Sequence, residues 1–297
     1  MSGRHLTMLL GLGAIWGSSF SLLKVSLREL EPMPVIGLRI AIATLTLLVL
    51  VPWIGGRETL AGIRFRWREL ALIGATNTAI PFFILTWGQQ YLDTGVASIF
   101  NASAPLWTVL LALAFARSER VTGMRLLGFL LGFGGIVLLL GFEPSGADRA
   151  IAGSLAVCLA AVLYAVSALY ISRRLKDIPA SSVALGSLLW ATLFTLPLGV
   201  AGLSGKSVGW ETIVSLIGLG AGATALAYLL YFALIAGAGA SRAILVTYLV
   251  PALAIVFGVA FLDETVTIQG LGGLALVLLG VALGTGTLRR ARAAPTL

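Results

Sequence analysis

The chain has 297 residues, of which 59% are hydrophobic and only 11% are charged, and its formal net charge is +8. Soluble globular domains carry about 25% charged residues, so a soluble fold of this length could not bury so much apolar surface. The basic residues are not interleaved with aromatic ones on a polar face, which argues against a nucleic-acid partner. The single cysteine, Cys158, excludes an intramolecular disulfide framework. The composition therefore indicates an integral membrane protein in contact with the lipid bilayer.

Apolar stretches of about 20 residues, the length that crosses a bilayer as a helix, follow one another along the whole chain. Short polar or turn-rich breaks separate them, and the least distinct breaks lie near Asp93 and Gly237. No soluble domain of useful size fits between these stretches. The predicted spans cover residues 7–27, 33–54, 70–91, 95–116, 122–141, 151–171, 181–203, 211–233, 242–262 and 266–288.

The distribution of basic residues predicts how these spans are oriented. If the N-terminus is cytoplasmic and the chain crosses ten times, fifteen of the 20 Lys and Arg residues fall in cytoplasmic segments. Membrane proteins concentrate Lys and Arg on the cytoplasmic side. The sequence therefore predicts an all-α integral membrane fold of ten transmembrane helices with both termini in the cytoplasm.

One sequence pattern occurs twice, at a nearly constant offset. Between the two copies, a Glu, a Thr and three glycines are displaced by 145 positions, and a proline is displaced by 146. The equivalent pairs include Pro105 and Pro251, Glu119 and Glu264, and Thr122 and Thr267. We therefore predict two five-helix repeats, residues 1–146 and residues 147–297. Because five is odd, the second repeat enters the membrane from the opposite side. The repeats are then inverted about an axis in the membrane plane, which suits alternating access.

The pattern of Pro, Glu-x-x-Thr and a glycine-rich helix resembles the EamA repeat of the drug/metabolite transporter superfamily. The segment Trp16-Gly17-Ser18-Ser19-Phe20 resembles the first-helix signature of that family. Within the superfamily, the chain is most similar to YddG-type bacterial exporters of aromatic amino acids. The resemblance implies a bacterial inner-membrane transporter with a central cavity lined mainly by helices 1, 3, 4, 6, 8 and 9. Helices 5 and 10 would be peripheral and would pack against each other.

Polar and aromatic residues inside the spans predict where a solute binds. Thr224, Tyr228 and Tyr231, for example, follow the spacing of one helical stripe. An uncharged cavity with aromatic walls and a few amide and hydroxyl groups would suit a small amphipathic solute such as an amino acid. The expected substrate-binding residues are Trp16, Ser19, Asn77, Trp87, Asn101, Tyr164, Thr224, Tyr228, Tyr231, Thr247 and Tyr248.

Prolines and charges inside the spans predict gating and energy coupling. Proline removes a helix hydrogen bond, so we expect Pro81, Pro105 and Pro251 to act as hinges, with static kinks as the alternative. No Asp or Glu lies in the middle of a span, whereas proton- and sodium-coupled carriers usually depend on such a group. This absence favours a facilitator, or coupling to a less obvious ion. Arg39 and Lys24 are the cations that could attract an anionic group.

The sequence favours an exporter of amino acids, neutral or aromatic and of narrow or broad range, that works by alternating access. Two alternatives stay open: a carrier of cationic drugs or other small metabolites on the same fold, and a non-transporting membrane scaffold. We expect no enzymatic activity, cofactor or metal, because the only histidine is His5 near the N-terminus and phosphate-binding loops are missing. The expected partners are a small solute and lipid; the oligomeric state is open, and a monomer is compatible with the sequence.

Overall fold

The computed structural model describes residues 3–115, 123–140, 147–205, 207–238, 243 and 245–284, and these form helices joined by short turns. The all-α prediction is thereby confirmed. Glu119 and Thr122 of the repeat pattern lie outside the described residues. In chain order the helices are α1 (Gly3–Ser26), α2 (Pro32–Leu50), α3 (Gly56–Phe65), α4 (Trp67–Gln89), α5 (Thr94–Asn101), α6 (Ala104–Phe115), α7 (Met124–Leu140), α8 (Ala147–Arg174), α9 (Ala180–Ala201), α10 (210–238), α11 (Val246–Leu262) and α12 (Ile268–Gly284).

Each predicted span coincides with one helix or with a pair of them. Among the described residues, six helices are long and apolar enough to cross a membrane, namely α1, α2, α4, α8, α9 and α10. The helices α7, α11 and α12 are apolar but shorter. The short helix α3, which lies between the second and third spans, was not predicted. The number of crossings and the side on which the termini lie stay predictions.

The fourth predicted span is divided into two helices. A two-residue turn at 102–103 separates α5 from α6, and Pro105 falls in the first turn of α6. Proline is well suited to that place, because the amide it lacks has no partner within the helix there. The Ser103 hydroxyl donates to the Phe100 carbonyl oxygen at 2.6 Å and accepts from Trp107 Nε1 at 3.1 Å. These bonds satisfy polar groups of the turn where lipid could not.

The repeat equivalent of Pro105 has a different setting. Pro251 lies inside the continuous helix α11. The two halves therefore differ in structure at this pair of equivalent prolines.

The helices α4 and α10 each contain wide, π-helical turns, at Gly74–Ala79 and Gly218–Leu226. Both stretches contain the tripeptide Gly-Ala-Thr, at residues 74–76 and 222–224. Pro81 follows the first stretch, in the first turn of regular helix. Wide turns of this kind are frequent at functional sites. The halves thus share a deformation that the hydrophobic pattern did not predict.

The helices α2 and α9 hold the same rank in the two halves and pack against each other antiparallel. Gly202, after the end of α9, lies against the start of α2, where a Cβ added to it would be 2.8 Å from Pro34 Cγ. Farther along, the hydroxyl oxygens of Thr44 and Thr192 are 2.8 Å apart. The chain directions are therefore opposite in these two helices.

The glycine-rich helices α7 and α12 also pack antiparallel. A Cβ added to Gly280 would lie 2.4 Å from the Gly132 backbone nitrogen, and one added to Gly135 would lie 3.0 Å from the Gly273 carbonyl oxygen. Small residues allow two helix backbones to approach this closely in lipid. The glycines at this contact therefore serve helix packing, and the two helices pack against each other as the resemblance implies.

Three contacts join helix ends at one side of the bundle, which we call the Glu264 end. The Thr94 amide donates to both carboxylate oxygens of Glu264, at 2.9 and 3.0 Å. The Gly209 amide donates to Glu29 Oε2 at 2.8 Å. Lys24 Nζ donates to the Leu92 carbonyl oxygen. The contacts from Glu264 and Glu29 join residues of different halves.

The opposite side, which we call the Arg66 end, is joined by a separate set of contacts. The Arg66 guanidinium donates to Asp177 Oδ2 at 2.5 Å and to Glu69 Oε1 at 3.0 Å. Thr59 on α3 shares a hydrogen bond of 2.7 Å with the Ser181 hydroxyl on α9. The amphipathic helix α3 therefore connects the two halves at this end.

Candidate substrate cavity

A cavity of about 500 Å³ lies between the helices of the two halves. Its walls come from α1, α4, α5, α6, α8, α10 and α11, and one residue of α2 joins them. These are the helices that the family resemblance implies, with α2 added. Among the described residues, none of the lining belongs to α7 or α12. Binding sites for small molecules commonly measure about 300–1,000 Å³, so the cavity can hold a solute the size of an amino acid.

Most of the residues expected from the sequence meet in this cavity. Trp16, Ser19, Asn101, Tyr164, Tyr228, Tyr231, Thr247 and the hinge candidate Pro105 belong to its lining. Residues from both halves therefore face one space. Whether they bind a solute stays a prediction.

The other expected residues lie outside the lining. Trp87 contacts the Tyr91 ring edge-on, with 5.2 Å between ring centroids, and the buried Tyr248 hydroxyl has no partner among the described residues. Thr224 lies behind the wall, where it bonds to Arg39. The full set outside the lining is Asn77, Trp87, Thr224, Tyr248, Pro81 and Pro251.

One aromatic wall is fixed by a bond across the halves. The rings of Trp16 and Tyr231 lie with centroids 5.4 Å apart and planes inclined by 50°. Trp16 Nε1 donates to the Ala223 carbonyl oxygen at 3.2 Å, and Ala223 belongs to the wide turns of α10. The indole is thereby held on the backbone of the opposite half.

Asn101 presents an unused acceptor at the cavity wall. It is the last residue of α5, just before the turn at 102–103. Its side-chain oxygen is buried and has no hydrogen-bond partner in the part of the chain that the structure describes. Buried polar atoms are nearly always paired. The residue lines the cavity, and a donor group of a bound solute would supply the partner that this oxygen lacks.

The expectation of an uncharged cavity is wrong, because Arg39 on α2 lines it. The side chain is only 9% exposed. Its Nε donates to Thr224 Oγ1 at 3.1 Å, and its guanidinium lies 4.3 Å from the centroid of the Phe82 ring. The sequence located this charge inside a span. It could not show the charge at the cavity, because that depends on how α2 packs against α4 and α10.

The exposure of the lining residues changes from one end of the cavity to the other. Leu23 and Ser98, toward the Glu264 end, are each 1% exposed. Thr108 and Thr247, toward the Arg66 end, are half-buried, and Ala168 on the same side is exposed. The lining is therefore buried toward the Glu264 end and more exposed toward the Arg66 end.

The chain matches the family model of the EamA-like transporters twice, over residues 4–141 and residues 151–285. An uncharacterized transporter of Archaeoglobus fulgidus is 29% identical over 272 residues, which cover 90% of this chain and 93% of the relative. A probable terminal-alkyne amino-acid exporter of Streptantibioticus cattleyicolor is 29% identical over 289 residues, 95% of this chain and 93% of the relative. A solved crystal structure of 22% identity has a TM-score of 0.69 and covers 97% of this chain and 98% of its own, which shows a common fold.

Proposed function

Because the chain belongs to the EamA-like transporter family, we propose that it exports amino acids, including neutral and aromatic ones, by alternating access. Members of this family are transporters and not enzymes, and in bacteria they are multi-pass proteins of the inner membrane. The chain is accordingly a membrane transporter. The similarity to a probable amino-acid exporter supports the choice of solute.

The observation that carries the proposal is the chemistry of the cavity wall. Aromatic rings of Trp16, Tyr164 and Tyr231 offer an apolar surface for a side chain. The unpaired acceptor of Asn101 matches an ammonium group, and Arg39 matches a carboxylate. An amino acid carries all three of these features.

The proposed topology has ten crossings, cytoplasmic termini and inverted repeats at residues 1–146 and 147–297. The antiparallel packing of α2 with α9, and of α7 with α12, supports the inversion, because helices of the same rank run in opposite directions. A parallel duplication would align them instead.

In this topology the cavity opens to the cytoplasm. α1 begins at the Arg66 end, so cytoplasmic termini place that end inside the cell. A cavity open toward the Arg66 end would then load its solute from the cytoplasm. Closure there and opening at the Glu264 end would release it outside.

Counterflow in liposomes tests the proposal. Purified protein is reconstituted with unlabelled L-phenylalanine or L-leucine inside, and entry of the labelled amino acid is measured against protein-free liposomes. Faster entry with protein is the expected result. If no amino acid exchanges while the folded protein binds another solute, the substrate assignment is wrong.

The alternative of a cationic-drug carrier is less consistent with the site. Arg39 puts a positive charge at the wall, and no Asp or Glu occurs among the lining residues that the structure describes. A cationic solute would meet repulsion in a low-dielectric site. The same counterflow assay with tetraphenylphosphonium as the cationic probe would reveal such an activity. A non-transporting scaffold is inconsistent with membership of a transporter family.

A further inference from the structure

We infer that Arg39 binds the carboxylate of the transported solute, so that the cargo is a class of carboxylate-bearing molecules and simple amines are excluded. This inference rests on the proposed function, because it concerns the same cavity. It adds a specificity-determining residue, on α2, to a site that the other helices enclose.

The first argument is the cost of a buried charge without a counter-ion. Arg39 is 9% exposed, and among the described residues it makes no ion pair with an Asp or Glu. Charged side chains within a membrane normally pair with an opposite charge or face a water-filled cavity. Arg39 lines the cavity, so an anion entering the cavity would supply the missing partner.

The second argument is that the guanidinium is held in place with donors to spare. Thr224 Oγ1 accepts from Nε, and Cζ of the guanidinium lies 4.3 Å from the centroid of the Phe82 ring. Thr224 is itself fixed, since its hydroxyl donates to the Leu219 carbonyl oxygen at 2.8 Å. Arginine has five N–H donors, and in the described part of the chain Nε alone has a hydrogen-bond acceptor. The two terminal nitrogens are the pair that binds a carboxylate in a bidentate manner.

The third argument is that the equivalent position in the other half carries no charge. With the offset of 148 that relates Thr44 to Thr192, the position equivalent to Arg39 is Ser187. The Ser187 hydroxyl is buried and donates to the Ala184 carbonyl oxygen at 3.1 Å. Among the described lining residues Arg39 is the one cation, so a solute with a single carboxylate would bind in one orientation.

A series of three probes on the wild-type protein tests this without any substitution. L-phenylalanine, 3-phenylpropionate and phenethylamine share the ring, but the second lacks the ammonium and the third lacks the carboxylate. Each is measured by its protection of the detergent-purified protein against thermal unfolding and by its competition for counterflow. We expect the two carboxylates to bind at least about tenfold more tightly than phenethylamine. Equal or tighter binding of phenethylamine would overturn the inference.

Substitution then assigns the effect to the residue. Arg39→Gln should weaken binding of 3-phenylpropionate by at least about tenfold, and Arg39→Lys should retain part of it, because a point charge replaces a bidentate fork. Lys24→Gln is the matched control, since it removes a cation that does not line the cavity. Unchanged binding in folded Arg39→Gln overturns the inference, and so does an equal loss in Lys24→Gln.

The two proposals fail in different ways. If wild-type protein exchanges phenylalanine and Arg39→Gln does so equally well, the amino-acid function stands and the role of Arg39 is wrong. If amino acids are not exchanged but the binding of 3-phenylpropionate depends on Arg39, the role of Arg39 stands and the amino-acid function is wrong. Should Arg39→Gln not fold, Arg39→Lys still tests the residue, and the probe series on the wild type tests the preference for a carboxylate.

Discussion

The hydroxyl groups of Thr44 and Thr192 share a hydrogen bond of 2.8 Å, and the two residues are 148 positions apart at the same place in α2 and α9. In a two-fold arrangement, equivalent residues can contact each other only at the axis. The pair therefore marks where the proposed pseudo-two-fold axis passes through the protein. Residues at such an axis move little relative to each other when the halves exchange conformations.

A cysteine pair at these positions should cross-link and still transport. Thr44→Cys with Thr192→Cys places two sulfur atoms where the oxygens are 2.8 Å apart, close to the geometry of a disulfide. A membrane-permeant oxidant should join them, as measured by loss of free thiol in mass spectrometry. Thr46→Cys with Thr192→Cys is the control and should stay reduced. Complete loss of counterflow after cross-linking would contradict a fixed axis at this pair.

The close contact between α7 and α12 predicts that alanine substitutions at two glycines of α12 differ in their effect on stability. A Cβ at Gly280 would lie 2.4 Å from the Gly132 backbone nitrogen, whereas one at Gly272 would make only an ordinary contact with Leu138, at 3.5 Å. Gly280→Ala should destabilise the protein by about 1–3 kcal/mol. Gly272→Ala should be neutral or slightly stabilising, since alanine favours helix. Thermal unfolding in detergent compares them, and equal melting temperatures would contradict the close packing.

Asn101 should select for the ammonium group of an amino acid. Asn101→Leu removes the unpaired acceptor, so the KM for L-phenylalanine should rise by about tenfold, as for loss of a charge-assisted hydrogen bond. Transport of 3-phenylpropionate, which has no ammonium, should change little. Ser98→Ala is a matched control at the cavity wall, because the Ser98 hydroxyl already donates to the Gly95 carbonyl oxygen at 2.6 Å. Equal losses for both probes would argue for a purely structural role of Asn101.

Acid should remove the contribution of Glu29 to stability. Hydrogen bonds from the Thr212 hydroxyl and the Gly209 amide hold the pKa of this carboxyl below its ordinary value. A carboxyl whose pKa is lower in the folded than in the unfolded state stabilises the fold at pH values above the unfolded-state pKa. That stabilisation is lost as the pH falls through the folded-state pKa. Wild type should therefore melt above Glu29→Gln at pH 7. The two melting temperatures should converge below about pH 4. A difference that persists in acid would show that the carboxylate is not responsible.

The absence of a lining carboxylate also predicts the energetics of transport. No Asp or Glu occurs among the lining residues in the described part of the chain, and proton-coupled carriers usually need such a group. An imposed pH gradient should therefore leave the initial rate of phenylalanine entry into liposomes unchanged. A valinomycin-imposed potential without a pH gradient is the control for electrical effects. Strong stimulation by the pH gradient would contradict a facilitator.

The helices could be predicted from sequence because lipid demands long apolar helices almost regardless of context. The residues that line the cavity were harder to predict, because the lining depends on which face each helix turns toward the cavity. In α4, the wide turns at Gly74–Ala79 add a residue per turn and rotate everything beyond them. Asn77 and Pro81, both expected at the site, lie outside the lining, whereas Phe82 and Leu85 line the cavity. In α10, likewise, Thr224 lies behind the wall while Tyr228 and Tyr231 line it.

Arg39 and the turn at 102–103 illustrate a second limit of prediction from the sequence. The sequence shows that a charge and a proline occur inside spans, but burial against α4 and α10 decides that the charge faces the cavity. At the helix break, the Ser103 hydroxyl bonds to the Phe100 carbonyl oxygen and to Trp107 Nε1. Serine is too common in membrane helices to signal such a break by itself.

The unequal settings of Pro105 and Pro251 have a consequence for the second state of the transport cycle. In inverted repeats, each half takes up the shape that the other half leaves. The first half now has its helix interrupted at 102–103, while α11 runs unbroken through Pro251. In the state open at the Glu264 end, we therefore expect residues 94–115 to form one helix and α11 to part near 248–249. Hydrogen exchange at the amides on either side of each proline would then follow the transport cycle in opposite directions.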